Sequence, residues 1–469
     1  MTRQKRKRVL SGMRPTGPLH IGHYFGALSN WLKMQDARLP ATADEPDGSP
    51  EFESFHFVAD WHALTTHYAD SSQVASNTLQ VATDWLAVGL DPRKHDNVTL
   101  FIQSSVPEHA ELHLLLSMIT PLSWLERVPT YKEQIENLRE KDLGTYGFLG
   151  YPLLQSADIV MYGEPGQELL VPVGEDQAPH IEMTREIVRK FNFHAGLRVD
   201  TEGMRAALRN PTGAGEVSLI ADALDRMEGH EGNRGGGYFP SSIDVSALEA
   251  RIRRIAESDG IKNLEERFRK QVSEHEAFKK YVHTVQVLEE PDVILTETPR
   301  VPGTDGRRMA KSYGNAIWLS DTPDEIRAKA RNMMTDPQRV RRTDPGRPEV
   351  CPVFAYHNLF PEKKSAEDCA RIERVDRECR TAEIGCVDCK KLMADALVKW
   401  IAPIQERRAK YAANPAEVWN VLEDGSRRAK KVAEQTMERV RKAVFNWEGA
   451  GRKPAVASNL SGEGKGAGD

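Results

Sequence analysis

The sequence predicts an α/β fold: a parallel sheet with helices on both faces, interrupted by an inserted segment and followed by an all-α C-terminal domain. Three observations point that way. Short apolar runs alternate with helical patterns through the first part of the chain, the rhythm of a parallel sheet. Residues 197–290 then change character, with the glycine-rich "EGHEGNRGGGYFPSS" followed by a highly charged helical stretch. After about residue 319 the pattern is helical to about residue 447.

Taken in order, "KRVLSGM" (7–13) reads as a short buried strand. The turn "RPTGP" leads into a helix from about Leu19 to Met34, and residues 37–53 form a polar loop rich in Pro, Asp and Glu. "SFHFVADWHAL" is a second strand ending in polar residues. "SSQVASNTLQVATDWLAVGL" is a helix with Ser71 or Ser72 as its cap, and "NVTLFIQSS" is a third strand. Ligands of such sheets gather at the carboxyl ends of the strands. The polar residues after the first two strands are therefore site candidates. The expected domains are 1–196, an insertion of unassigned role at 197–292, a return to the first domain at 293–318, a helical domain at 319–450 and a flexible tail at 451–469.

A chain of 469 residues can bury two or three cores. Its formal net charge of −5 excludes a wholly basic surface for nucleic acid but leaves room for a local basic patch. There is neither a signal-peptide pattern nor a run of 18 apolar residues, so a cytoplasmic, soluble protein without a membrane partner is expected. All five cysteines lie between Cys351 and Cys389, which is not a disulfide framework.

Three constellations carry chemistry. His20 and His23, in "PLHIGHYFGAL", sit where a strand and a Gly/Pro turn enter a helix. Free N–H groups and the helix dipole make that an anion site. Gly22 lets a flat ring approach the backbone, and two imidazoles can donate to phosphate oxygens as charge moves. The same pair could be solvated helix residues, or two metal ligands lacking a third. Far downstream, "GRRMAKSYGN" places Arg307, Arg308 and Lys311 among small residues, either as the cationic half of the same site or as an exposed basic turn. Finally, Cys379, Cys386 and Cys389 read C-x6-C-x2-C, with Cys351 the natural fourth member. That spacing suits zinc, an iron–sulfur cluster or simply reduced thiols.

H-I-G-H and R-M-A-K-S together resemble the two signatures of class I aminoacyl-tRNA synthetases. "YPLLQSADIVMYG", "LLVPVGEDQAPHIEMTREIVRKFN", "VADWHALT", "DWLAVGLDP", "LFIQSSVPEHAEL" and "IAPIQERRAKY" are similar to the bacterial tryptophanyl branch, over most of 7–195 and 298–447. The resemblance implies a Rossmann-like catalytic domain that takes ATP with Mg²⁺. The amino-acid carboxylate attacks the α-phosphorus, and the acyl group then passes to a tRNA hydroxyl. His20, His23, Lys311 and Lys132 are the implied catalytic residues. Arg14, Thr16, Gly22, Gly174, Asp176, Arg308, Met309 and Ser312 are the implied ATP contacts. Arg308 and Ala310 depart from the family pattern of Lys and Ser, and arginine changes the hydrogen-bond geometry.

For the amino acid, the resemblance implies Tyr151, Gln155, Asp158, Gln177 and His62. An indole N–H only donates, and buried without an acceptor it costs about 1–3 kcal/mol. The resemblance gives the acceptor role to Asp158; by itself that residue reads equally as a strand-end cap. Gln155 leaves a tyrosine pocket open beside a tryptophan one, and a non-charging, synthetase-like binding protein is a third reading. "CPVFAYH" and "GCVDCKK" are similar to a subgroup holding a 4Fe–4S cluster, which implies Cys351, Cys379, Cys386 and Cys389 as ligands, with zinc second and Cys369 outside the set. The implied partners are tRNA(Trp) and a second copy of the chain. Local clusters (Arg327, Lys329, Arg331, Arg339, Arg341, Arg342 and Arg347; Arg427, Arg428, Lys430 and Lys431) are candidates for phosphate contacts.

Overall fold

A computed structural model describes residues 6–41, 48–128, 131, 144–174, 177–229, 243–271, 275–295, 301–361 and 364–445. Lys132, Asp176 and the tail 451–469 lie outside the described residues. The strands are β1 (Lys7–Met13), β2 (Phe52–Val58), β3 (Val98–Ile102), β4 (Leu169–Val173), β5 (Leu197–Val199), β6 (Val282–Thr284) and β7 (Pro291–Leu295). Five of them form one sheet in the order β3-β2-β1-β4-β7, parallel throughout. Val9 and Leu10 are fully buried on the central strand, as continuous apolar runs in a sheet covered on both faces should be. Strand order reverses between β1 and β4, which opens a crevice at their carboxyl ends.

Around that crevice several elements differ from the sequence reading. The first helical segment runs over 21–36 and contains a π-turn at Tyr24–Leu28. The second strand stops at Val58, and Asp60–His67 is a helix. Asp60 Oδ1 accepts the N–H groups of Trp61 and Ser104, both at 3.1 Å; those bonds end the strand and put His62 on a helix. The next helix starts at Val74 with Gln73 as its cap, not Ser71 or Ser72, because Asp70 Oδ1 takes the Ser72 N–H into a turn at 3.0 Å. That helix ends at Gly89, whose φ of 110° is the left-handed C-terminal cap glycine accepts readily. Asp158 lies within the helix Tyr151–Met161 rather than at a strand end.

By backbone contacts the chain divides into two compact units: 1–188 with 289–433, and 189–288 with the chain from 434 onward. The first holds a core running from Leu19, Ile21, Trp31 and Trp85 to Tyr356, Phe360 and Leu397. Helix Cys386–Ala413 and helix Pro415–Phe445 as far as residue 433 are its long C-terminal elements. The second unit has its own core, including Met204, Ile220, Ile252, Leu264, Phe268 and Phe278, with the last two rings stacked at 4.0 Å. A β5-β6 antiparallel ribbon joins its helices. Among the described residues no helix is long and apolar enough to cross a membrane.

Edge strand β3 is covered rather than open. Ser426 Oγ accepts the Ile102 N–H at 3.3 Å, while Arg428 donates to the Val98 carbonyl and to Thr99 Oγ1. Arg428 thus satisfies a sheet edge instead of facing phosphate. A Cβ at Gly425 would stand 1.7 Å from the Leu100 carbonyl oxygen. Gly425→Ala is therefore expected to destabilise the protein by about 1–3 kcal/mol, read as a lower urea midpoint in chemical denaturation.

Candidate active site

The two distant basic motifs meet at the carboxyl end of β1. Residues 19–21 pair with 317–319: Ile21 N–H donates to the Ile317 carbonyl at 3.0 Å and Leu319 N–H to the Leu19 carbonyl at 2.9 Å, with His20 opposite Trp318. The His20 backbone N–H donates to His23 Nδ1 at 3.1 Å. That bond leaves Nε2 as the protonated nitrogen of His23, free to donate to an incoming oxygen. The imidazoles stack at 3.7 Å. Gly22 serves this stack directly: a Cβ there would lie 2.9 Å from His20 Nδ1. The flat ring it admits is the chain's own.

Residues 301–315 fold back on themselves around Asn315. Its Oδ1 accepts the Ala310 N–H at 2.9 Å, and its Nδ2 donates to Asp305 and to the Arg308 carbonyl. Met309 is buried and lies against Gly22, while Arg308 and Ser312 are exposed. Lys311 Nζ donates to Thr16 Oγ1 at 3.3 Å and to the Gly17 carbonyl at 3.0 Å, in the turn just before His20. Burial brings the Lys311 ammonium down to about 8, with Asp84 acting in the opposite sense. Burial, then Lys311 and Arg308, lower His20 to about 4. Burial, then His20 and Lys311, lower His23 to about 2. The cradle is two neutral imidazoles beside the Lys311 ammonium, with Arg308 acting on His20 from the exposed loop and Arg14 exposed at the end of β1.

On the other side of the crevice, Tyr151, Gln155 and Asp158 share one face of their helix. Asp158 is 1% exposed, and its carboxylate is already fully engaged. Gln103 Nε2 donates to both oxygens at 2.8 and 2.9 Å, His109 Nδ1 to Oδ1 at 2.6 Å and His62 Nε2 to Oδ2 at 2.7 Å. Tyr162 OH donates to the remaining His109 nitrogen at 2.8 Å, fixing that tautomer. Burial pushes Asp158 upward, but the His109 and His62 hydrogen bonds outweigh it and hold the carboxyl below its ordinary value. Gln155 Oε1 accepts from His180 Nδ1 at 2.8 Å. Gln177 donates its backbone N–H to the half-buried Gly174 across the turn after β4. Sequence reasoning missed Gln103 and His109 as partners of Asp158, and Tyr162 behind His109, although "LFIQSSVPEHAEL" contains the first two.

Cys351, Cys379 and Cys389 are buried, Cys386 is half-buried and Cys369 is exposed. Burial, then the neighbouring Cys351, Cys379 and Cys386, push the Cys389 thiol up to about 12. Among the described residues no group of three or more His, Cys, Asp or Glu side chains is placed to hold a metal ion. Neither the expected iron–sulfur cluster nor zinc, the second choice, has a preformed ligand group there. Most arginines and lysines of the first predicted basic cluster are also engaged: Arg327 with Asp395, Lys329 with Asp321, Arg347 with Asp336, and Arg339 with Cys379 Sγ at 3.6 Å. Arg331, Arg341, Arg342 and, in the second cluster, Lys431 are exposed.

A parallel sheet with a histidine turn and a lysine loop at its switch point defines a nucleotide-using α/β enzyme. The family model for class I tRNA synthetases (W and Y) matches residues 2–208 and 263–402, and the chain belongs to that family. It is 44% identical over 440 residues to a tryptophan–tRNA ligase of Ralstonia nicotianae, covering 93% of this chain and 98% of that one. It is 40% identical over 437 residues to that of Thermotoga maritima, again covering 93% and 98%. Such coverage takes in part of 197–292, which the sequence resemblance leaves out. The solved tryptophanyl-tRNA synthetase of Campylobacter jejuni, complexed with ADP and tryptophan, shares the fold with a TM-score of 0.62 at 22% identity, covering 93% of this chain and 98% of that one.

A cation at Lys311 is present below about pH 8 and lost above it. The kcat/KM for ATP in pyrophosphate exchange is expected to fall as pH rises through that value. Lys311→Arg should flatten this alkaline limb. The neutral histidines should add no acid limb down to about pH 5.

Proposed function

We infer that this chain is a tryptophan–tRNA ligase, activating L-tryptophan with ATP and passing it to tRNA(Trp). The observation that carries the reading is Lys311 seated on the turn that presents His20 and His23. A triphosphate lying there meets the Lys311 ammonium and the His23 imidazole, while the Asp84 carboxylate is held behind the turn by the Leu19 N–H and Arg408. His23 Nε2 and Lys311 donate to phosphate oxygens as charge builds on the departing pyrophosphate, and no covalent enzyme intermediate is needed. The cradle's imidazole and ammonium groups suit phosphate oxygens rather than Mg²⁺, so the ion would ride on the triphosphate and neutralise its charge. Lys132, Asp176, Arg14, Thr16 and Arg308 complete the proposed nucleotide contacts.

For tryptophan, Asp158 is the proposed acceptor of the indole N–H, with Tyr151 and Gln177 at the amino group. Since Asp158 carries a full set of donors, one must yield. His62 is the most exposed of the three residues that supply them, and it is the one the indole replaces.

The helical region after residue 319 is the proposed anticodon-binding domain, with Arg331, Arg341 and Arg342 as phosphate contacts. We propose a 4Fe–4S cluster on Cys351, Cys379, Cys386 and Cys389. Such a cluster takes one thiolate at each of four irons, so its ligands surround a core rather than converge on one ion. Arg339 fits this reading. It is buried, and among the described residues its Nε has no partner and its side-chain bonds go to Cys379 Sγ and to the Arg342 and Ile384 carbonyls, with no ion pair to a carboxylate; thiolate charge would balance it. The cluster would act as a structural clamp. A homodimer is supported by exposed Leu114, Met118, Leu122 and Tyr146, an apolar set that a second copy would cover. A cytoplasmic location accords with this role.

Purified anaerobically, the protein should catalyse pyrophosphate exchange with tryptophan and charge tRNA(Trp). Its visible absorption should bleach with dithionite and vanish in Cys386→Ser. Exchange with tyrosine in place of tryptophan would overturn the specificity, and a colourless, iron-free protein would overturn the cluster.

A further inference from the structure

Two stretches singled out in the sequence, "DWLAVGLDP" and "IAPIQERRAKY", play no part in the chemistry above. The fold brings them together behind the histidine turn. Asp84, on helix Val74–Val88, is 1% exposed. Its Oδ2 accepts the backbone N–H of Leu19 at 2.9 Å, one residue before His20. Its Oδ1 accepts from Arg408 Nε at 2.7 Å. Arg407 donates to the Ala87 carbonyl at 2.6 Å, on the same helix as Asp84. Gln405 donates to the Asp321 carbonyl at 2.5 Å, and the Asp321 carboxylate accepts the Trp318 N–H at 2.7 Å. Trp318 is the residue opposite His20. One helix, Cys386–Ala413, therefore holds both backbone segments of the cradle.

We propose that Asp84 and Arg408 are a positioning pair for adenylate formation, fixing the Leu19 N–H and through it the His20 and His23 imidazoles. The proposal rests on the ligase reading above. The Leu19 N–H needs an acceptor because a buried donor without one is costly. A carboxylate supplies it, but a buried carboxylate needs a cation, and Arg408 provides that from the C-terminal helical region. Burial raises the Asp84 carboxyl even with Arg408 in place. Neither residue touches the Asp158 pocket, so tryptophan binding alone should not report their loss.

The test is steady-state exchange beside equilibrium tryptophan binding without ATP, in the full-length protein. Arg408→Met keeps the apolar stem and removes the charge. It should lower kcat roughly tenfold to a hundredfold, with tryptophan affinity held within about twofold. The double variant Asp84→Asn with Arg408→Met should recover most of that loss, because the amide oxygen still accepts the Leu19 N–H without a buried charge. Exchange unchanged in Arg408→Met, a double variant no better than the single, or tryptophan binding falling in parallel would each overturn the pair's role. Should Arg408→Met fail to fold, Asp84→Asn alone must lower kcat with tryptophan binding intact, because its single amide oxygen cannot accept both the Leu19 N–H and Arg408, and an unchanged kcat overturns the proposal. A natural protein inert with tryptophan removes the ligase reading itself, and the pair's role with it.

Discussion

Two backbone hydrogen bonds, between residues 19–21 and 317–319, are the constraint on which this active site depends. They join segments almost three hundred positions apart in the chain. Each segment alone is unremarkable: a helix start with two histidines, and a basic turn before an apolar run. Paired, they set Lys311 on the turn that opens the histidine helix and place Trp318 opposite His20. The spacing between Lys311 and the histidine turn, which the proposed triphosphate would span, is therefore fixed by the fold before any ligand arrives, the condition under which electrostatic stabilisation needs no reorganisation.

Burial then sets the chemistry of these groups. The same desolvation that keeps both imidazoles neutral weakens the hold of Lys311 on its proton. Two neutral donors and one cation can sit close together where three cations could not. Asp158 shows the opposite use of burial. Its charge survives burial because Gln103, His109 and His62 all donate to it, and Tyr162 locks His109 in the donating tautomer. One side of the crevice is built to receive negative charge, the other to keep it.

Much of this was legible in the sequence. The alternation of apolar runs and helical patterns gives the parallel sheet. The turn after β1 is visible as a Gly/Pro break ahead of two histidines. What escaped was set by single local bonds or by tertiary approach. Asp60 turns a predicted strand end into a helix start by capturing two N–H groups. Asp70 displaces the expected serine cap. Arg428 reads as a cation for phosphate, yet covers a sheet edge brought within reach by Gly425. Periodicity reports which face of an element is apolar; it is silent about which distant carbonyl an arginine will meet.

The donors around Asp158 make the same point for specificity. A sequence motif can nominate a carboxylate but cannot say how many of its lone pairs are spoken for. Here all are, so under the proposed tryptophan reading recognition of a ring N–H is an exchange of donors rather than the filling of a vacancy. Exchange makes selectivity a difference between two hydrogen-bonded states. A ligand that fills the pocket but brings no donor leaves His62 where it is and gains little from the buried anion, while one that donates at the right place releases His62 toward solvent. On that reading the pocket's discrimination lies in the pair His62 and Asp158 together.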